Sequence, residues 1–222
     1  MNDPYIYENG VLKNKLNIHD YDKLNKAEAD IGFIKLINID SLKITDFDEE
    51  AIKEIHYHIF EDIFEWAGKF RIMPLFKQEV VLPGCSIYYS EYREIPKDLK
   101  NTLDDLNSIN WQGLDTEEIA YLFARKIALL WRVHPFRDGN TRTMLSFAYL
   151  FAKEHGFPFD METFTEELSR KETEEGKTIY SVRDKFVLAC LDEKDYPEVQ
   201  YLANVFERAI ANYNENKTVK GK

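Results

Sequence analysis

Apolar residues recur along most of the chain at the three- and four-residue spacing of an amphipathic helix, and the interruptions are polar or carry Gly and Pro. The first such stretch runs from Asp20 to Ile39, with Leu24, Ala27, Ile31, Ile34 and Leu36 on the periodic positions and Asp20 as its cap. A second runs from Asp48 to Gly68 through Ile52, Ile55, Ile59, Phe60, Ile63 and Phe64, opened by acids that suit the helix dipole and closed by a glycine. Glu91–Ile109 places Ile95, Leu99, Leu103 and Leu106 on one side and houses Pro96 in its first turn. From Thr116, the residues Ile119, Leu122, Phe123, Ile127 and Leu130 repeat helically until Pro135 stops the run just past His134. Met144, Phe147, Ala148 and Phe151 then mark a new helix that starts near Asn140 or Thr141 and ends at Gly156. Beyond a turn at Phe157–Asp160, helices are expected over Met161–Glu175 (polar, stopped by Gly176), Tyr180–Leu191 and Tyr196–Tyr213, the last capped by Asp195 with Pro197 in its first turn.

Two stretches break the helical pattern. Residues 5–17 carry a Glu8-Asn9-Gly10 turn signal and little periodicity, so the first 19 residues read as an arm laid against the body. Residues 70–84, FRIMPLFKQEVVLPG, mix extended-favouring side chains with Pro74, Pro83 and Gly84, and read as a short exposed β-hairpin. The tail 214–222 has no apolar anchor and is expected to fray. The pattern therefore predicts an all-α bundle with one short β-hairpin, in one domain over residues 1–213.

Composition narrows the reading. A chain of 222 residues that is 44% hydrophobic and 14% aromatic suits one soluble domain with a sizeable core. Its net charge of -11 gives no sequence-wide attraction to nucleic acid or anionic lipid. The N-terminus lacks the basic and apolar regions of a signal peptide and no apolar run approaches a membrane span, so a cytoplasmic protein with no membrane partner is expected. Cys85 and Cys190 form no ligand pattern and read as reduced thiols. His56 and His58 fall on different helix faces, which argues against a paired metal site and reads as surface or groove histidines.

Chemistry concentrates in one stretch, WRVHPFRDGNTRTMLSFAYLF over Trp131–Phe151. His134 sits at a helix exit, and Arg137-Asp138-Gly139-Asn140 forms the N-terminus of the next helix. A glycine before a helix N-terminus lets the backbone approach closely, and the free N–H groups and positive dipole end suit phosphate. Arg142 adds a planar fork in the first turn, and a local basic set such as Arg132, Arg137 and Arg142 can hold a nucleotide. Asp138 beside an anion site makes sense as the ligand of a divalent cation shared with the phosphates. A histidine just upstream can take a proton from an incoming hydroxyl. Together these parts suffice for phosphoryl or nucleotidyl transfer, although each alone has a plain reading: structural His, ordinary turn, solvated Arg.

The ordered set His134-Pro135-Phe136-Arg137-Asp138-Gly139-Asn140-Thr141-Arg142 resembles the signature of the Fic (Fic/Doc) family, H-x-F-x-[D/E]-G-N-x-x-R. A second run, Phe64-Glu65-Trp66-Ala67-Gly68-Lys69-Phe70-Arg71, resembles the family's [F/Y]-E-W-A-G-x-x-R. The resemblance implies a Fic-type helical bundle that transfers AMP from ATP to a Tyr, Ser or Thr hydroxyl of a target protein, with Mg²⁺ as cofactor. It makes His134 the general base, Phe136 a core anchor and Asp138 the Mg²⁺ ligand. The nucleotide set it implies is Arg137, Gly139, Asn140, Thr141 and Arg142, with Gly139 and Asn140 as the phosphate cradle and Arg142 on the β- and γ-phosphates. The 70–84 hairpin becomes a flap that docks the target segment as an added strand. Thr141 stands where Gly is usual, and Leu145 stands where many members carry a second Arg. The family's inhibitory [S/T]-x-x-x-E-[G/N] string is not found, which implies a toxin-like regulator restrained by a separate small antitoxin. Two rivals stay open: a Doc-like kinase or other nucleotidyl transfer, and a catalytically silent target-binding module.

Overall fold

Eight α-helices and one 3-10 turn occur among the residues that the computed structural model describes, namely 3–82, 86–165, 171–172, 178–191 and 197–220. Their order is α1 (Tyr21–Ile37), the 3-10 turn (Ile39–Ser41), α2 (Glu49–Phe60), α3 (Ile95–Asn107), α4 (Thr116–Val133), α5 (Asn140–Glu154), α6 (Glu162–Thr165), α7 (Val182–Ala189) and α8 (Val199–Lys220). Local chemistry explains the starts. Asp20, Asp48, Asp115 and Ser181 each accept a backbone N–H of the first turn, and at Asp115 and Ser181 the third helical residue, Glu118 or Asp184, answers with the reciprocal bond. Pro96 lies in the first turn of α3, where its missing N–H costs nothing.

The core gathers around α4, which packs against α3, α5, α7 and α8 and buries Phe123, Ile127, Leu130 and Trp131 completely. Phe206 of α8 meets Phe123, Phe159 and Phe164 ring to ring, which locks the C-terminal half to α4. On the other side α5 packs on α2, and α2 on α1. This mostly helical architecture agrees with the sequence pattern. Among the described residues, no helix is long and apolar enough to cross a membrane.

Several elements differ from expectation. The second helix ends at Phe60; successive turns then carry the chain to Gly68, whose φ of +72° reverses it, so that Trp66 stacks on Phe64 and reaches His56. The expected hairpin contains no strand among the described residues 70–82, and Pro83 and Gly84 lie outside them. Residues 71–80 bend at 72–73 and turn at 80, and alternate residues are pulled inward: Arg71 and Glu79 are buried, while Ile72, Phe76 and Val80 are exposed. The Ser86 hydroxyl, donating to the Lys77 carbonyl at 2.7 Å, ties the two arms where a ladder was expected. The one strand pair among the described residues joins Lys171–Glu172 to Thr178–Ile179, where a polar helix had been expected. Residues 166–170 and 173–177, including Gly176, fall outside the described residues, as do Cys85 and the cap residue Asp195. Helix α8 continues to Lys220, past the expected end at Tyr213. Cys190 is a free, buried thiol whose pKa burial pushes up to about 12.

Candidate functional site

Helix α4 ends on His134, whose backbone is left-handed at φ +51° while its N–H still closes on the Trp131 carbonyl at 3.0 Å. A non-glycine residue keeps that conformation only when its neighbours impose it. Arg71 supplies the constraint. Its buried guanidinium donates to the carbonyls of His134 (2.9 Å), Met73 (2.8 Å) and Ser90, and its own N–H donates to the Pro135 carbonyl at 2.8 Å. The His134 ring is sandwiched, stacked on Tyr89 at 4.0 Å with Trp131 edge-on at 5.1 Å. It is 1% exposed, and neither ring nitrogen has a hydrogen-bond partner among the described residues. Burial lowers its pKa well below the ordinary imidazole value; Lys77, Arg183 and Arg71 push the same way, and the Trp131 carbonyl opposes them. His134 is therefore neutral at physiological pH, which is the state that accepts a proton.

The loop that follows is braced from inside. Asn140 accepts the Phe136 N–H at 3.0 Å and donates to the Phe136 carbonyl at 2.9 Å, so its side chain staples the turn and what it offers an anion is its backbone N–H. Trp131 Nε1 donates to the Thr141 hydroxyl at 3.0 Å, fixing the first turn of α5 to the end of α4. Gly139 has φ +77°, and a Cβ added there would land inside the Phe60 ring. His56 reverses its sequence expectation: it is fully buried and stacked on Phe136 at 3.7 Å. Its Nδ1 accepts the Gly68 N–H at 2.9 Å, so the ring proton sits on Nε2 and donates to the Asp138 carbonyl at 3.2 Å. Burial lowers the pKa of His56 to about 3.

Around this loop lies a cavity of about 540 Å³, to which His134, Asp138, Gly139, Asn140, Thr141 and Arg142 all contribute. Arg137 does not join them, because its guanidinium turns to Asp3 of the N-terminal arm at 2.8 Å. Burial alone would raise the Asp138 carboxyl; Lys77, the Gly139 N–H, Arg142 and Arg137 outweigh it and keep the group ionised. Leu145, one turn beyond Arg142, is buried in the core.

Three further charged residues reach the site from distant parts of the chain. Lys77, on the inward side of the 71–80 segment, lies in the cavity wall with its Nζ 3.9 Å from Asp138. Arg183, in the first turn of α7, lines the same cavity, paired with Glu79 at 2.7 Å and placed over the Trp131 ring. Glu28 of α1 forms an ion pair with Arg142 at 2.7 Å, and the Arg142 guanidinium lies on the Phe60 ring. The Glu28 side chain is 8% exposed, and burial raises its pKa against the opposing pull of Arg142. Of the periodic positions Leu24, Ala27, Ile31, Ile34 and Leu36, Leu24 is buried as expected; Glu28 and Gly32 complete the buried stripe, and Ile34 lies outside.

The family profile that matches, described as the Fic/DOC family, covers residues 46–152, which includes α2, the inward-anchored segment and the braced loop. The chain carries a Fic/DOC family domain. Protein adenylyltransferase VbhT from Bartonella schoenbuchensis is 30% identical over 164 residues, which is 72% of this chain and 33% of that protein. This chain thus spans about a third of the length of that relative. The crystal structure of the N-terminal Fic domain of the translocated effector Bep8 from Bartonella sp. 1-1C has a TM-score of 0.73 at 27% identity, covering 92% of this chain and 93% of that one. The crystal structure of the translocated effector BepC from Bartonella tribocorum, which holds AMPPNP, has a TM-score of 0.73 at 25% identity, with 92% and 95% coverage.

In this Fic/DOC domain the loop residues were findable from sequence because they are contiguous. Glu28, His56, Lys77 and Arg183 were not. Around Glu28 the family's inhibitory string is broken at both flanks, with Leu24 at its Ser/Thr position and Ala29 at its last. Arg71 was visible as the end of the Phe64–Arg71 run, but nothing in the run told that it would fix the His134 backbone.

Proposed function

We propose that the protein is an adenylyltransferase that moves AMP from ATP to a hydroxyl side chain of a target protein. One observation carries this: a buried, neutral histidine with unpartnered ring nitrogens lines the same cavity as an ionised aspartate and a glycine-preceded helix N-terminus. In the step envisaged, the target hydroxyl oxygen bonds to the α-phosphorus and its proton passes to a ring nitrogen of His134. The α–β bridging P–O bond breaks, and pyrophosphate leaves with its electron pair. Asn140 and Thr141 offer backbone N–H groups to the phosphates, Gly139, whose own N–H is held by Asp138, leaves room for their approach, and Arg142 offers its guanidinium. The likeness to an AMPPNP-bound effector and to a protein named adenylyltransferase supports the nucleotide and the reaction.

Asp138 fits a divalent cation that arrives with the nucleotide. It is one ionised carboxylate, and among the described residues no cluster of three or more His, Cys, Asp or Glu could hold a resident metal. Mg²⁺ is commonly held by one or two carboxylates plus phosphates, and when bound it would neutralise phosphate charge. The target segment is proposed to lie along residues 71–80, whose outward Ile72, Phe76 and Val80 give it an apolar surface to dock on.

Restraint by a separate antitoxin, as for a toxin-like regulator, has a rival in the chain itself, since Glu28 already occupies Arg142. The enzyme reading is tested with α- and γ-labelled ATP in a cell extract. The α-label should enter protein, and His134→Ala should reduce transfer by ~10²–10⁴-fold. Transfer of the γ-label would instead mean a kinase, and transfer of neither a silent binding module. Slowed growth on expression of the wild type, absent for His134→Ala, would support the toxin-like role.

A further inference from the structure

The cavity holds more positive charge than the loop supplies, and that charge is divided in space. Arg142 stands on the α1 side, drawn by Glu28 and seated on Phe60. Lys77 and Arg183 stand on the His134 side: Arg183 lies over Trp131 and donates to the Tyr89 hydroxyl, the two rings that hold the imidazole, and Lys77 lines the same cavity just before Glu79, the partner of Arg183. Both also lower the His134 pKa. The two come from separate elements, the 71–80 segment and α7, and Arg183 lies beyond the 46–152 span.

Neither cation is consumed by the protein contacts described for it. Lys77 Nζ meets Asp138 at 3.9 Å, too far for a hydrogen bond. The hydrogen bonds described for Arg183 all leave from Nη2, toward both Glu79 oxygens (2.7 and 2.9 Å) and the Tyr89 hydroxyl (3.2 Å). Glu79 is 4% exposed and Tyr89 also donates to it, so this carboxylate orients the guanidinium from the far side of the cavity wall. The Trp131 ring beneath Arg183 is the one whose Nε1 holds Thr141, so guanidinium and helix N-terminus are fixed to a common support.

A hydroxyl whose proton goes to His134 must have the attacked phosphorus beside it. Cations nearest His134 therefore face the group being transferred, and the cation on the α1 side faces the group that leaves. We infer that Lys77 and Arg183 bind the phosphoryl group of the transferred nucleotide while Arg142 binds the departing pyrophosphate, which rests on the nucleotide-transfer reading above. As the oxygen–phosphorus bond forms and the α–β bridge breaks, Lys77 and Arg183 stabilise the non-bridging oxygens of the α-phosphate. Arg142 stabilises the negative charge that develops on the oxygen of the departing pyrophosphate.

The two halves of the substrate separate the assignments. Calorimetric titration of the full chain with AMP, with pyrophosphate and with ATP is compared for the wild type, Lys77→Met, Arg142→Ala and the double variant Glu79→Gln/Arg183→Met, which leaves no unpaired buried carboxylate. Circular dichroism verifies folding, and Lys77→Met decides alone if the double variant does not fold. AMP should bind about 10- to 100-fold more weakly to Lys77→Met and to the double variant, the range for losing a charged hydrogen bond, with pyrophosphate within about twofold of the wild type. Arg142→Ala should show the reverse. AMP binding as in the wild type, or equal weakening of AMP and pyrophosphate, overturns the division while nucleotide transfer stands. A wild type that binds no ATP overturns the transfer reading and this inference with it.

Discussion

Gly139 and His134 bracket the loop with left-handed backbone, and they tolerate it for different reasons. Gly139 has no Cβ to collide with Phe60, whereas His134 is held by Arg71 and Tyr89 against its own preference. Gly139→Ala would meet both the strained φ and the Phe60 ring. It should lower stability by about 2–4 kcal/mol and abolish nucleotide binding, read as the urea midpoint and by calorimetry. An unchanged midpoint would mean that Phe60 yields and that the loop is not clamped as described. Glu28 is the other residue whose replacement is informative, since a buried carboxylate engages the cation that nucleotide phosphates would need. Glu28→Gln should release Arg142 and tighten ATP by roughly tenfold, the scale of one charge-assisted hydrogen bond. Unchanged affinity and rate would remove Glu28 as a restraint and return the question to a separate antitoxin.

Two elements act as arms around the loop. Helix α1 brings Glu28 in along the stripe Leu24–Glu28–Gly32, and its outer side, with Phe33, Ile34 and Ile37, faces solvent. The 71–80 segment is fixed at both ends by buried charge, Arg71 at the His134 carbonyl and Glu79 at Arg183, and alternation between those anchors turns Ile72, Phe76 and Val80 outward. Because these outward side chains are far more exposed than the cavity residues, Phe76→Asp with Val80→Asp should leave ATP binding and the fold unchanged. Modification of the target should fall at least tenfold, as a rise in the target's KM. A variant that modifies its target at the wild-type KM would move docking to another surface.

At the scale of the whole molecule, a protein of net charge -11 keeps a cationic cavity, and His56 and His134 are buried neutral within its core. Both fold with pKa values depressed below the unfolded value near 6.5. The unfolded chain therefore binds more protons than the native one as pH falls through 6.5, and stability declines toward acid. Each histidine contributes a slope of up to about 1.4 kcal/mol per pH unit. For His56 the window extends from 6.5 down to about 3. Glu28 works oppositely, since its raised pKa stabilises the fold at low pH and that contribution fades as pH rises. Urea unfolding at pH 6.5 and pH 5 should show the wild type losing more stability than His56→Gln does, a difference in which Glu28 cancels. Equal losses would mean that His56 can take up a proton in place, against its bonds to Gly68 and Asp138.

The sequence by itself determined what depends on near neighbours. Asp20, Asp115 and Pro96 mark helix starts because caps and fixed φ act within one turn, and the His134–Arg142 loop was readable because its chemistry is contiguous. Only the tertiary structure decided which charges meet. Glu28 and Arg142, Glu79 and Arg183, and His56 and Asp138 are each far apart along the chain, and no local energy distinguishes an inward Glu28 from an outward one on a helix that carries apolar residues on several faces. The same holds for the hairpin expected over residues 70–84, where strand propensity predicted a ladder and the described residues 70–82, held by buried Arg71 and Glu79, form none. Propensity acts over a few residues, whereas a buried charge must find its partner wherever packing has put it.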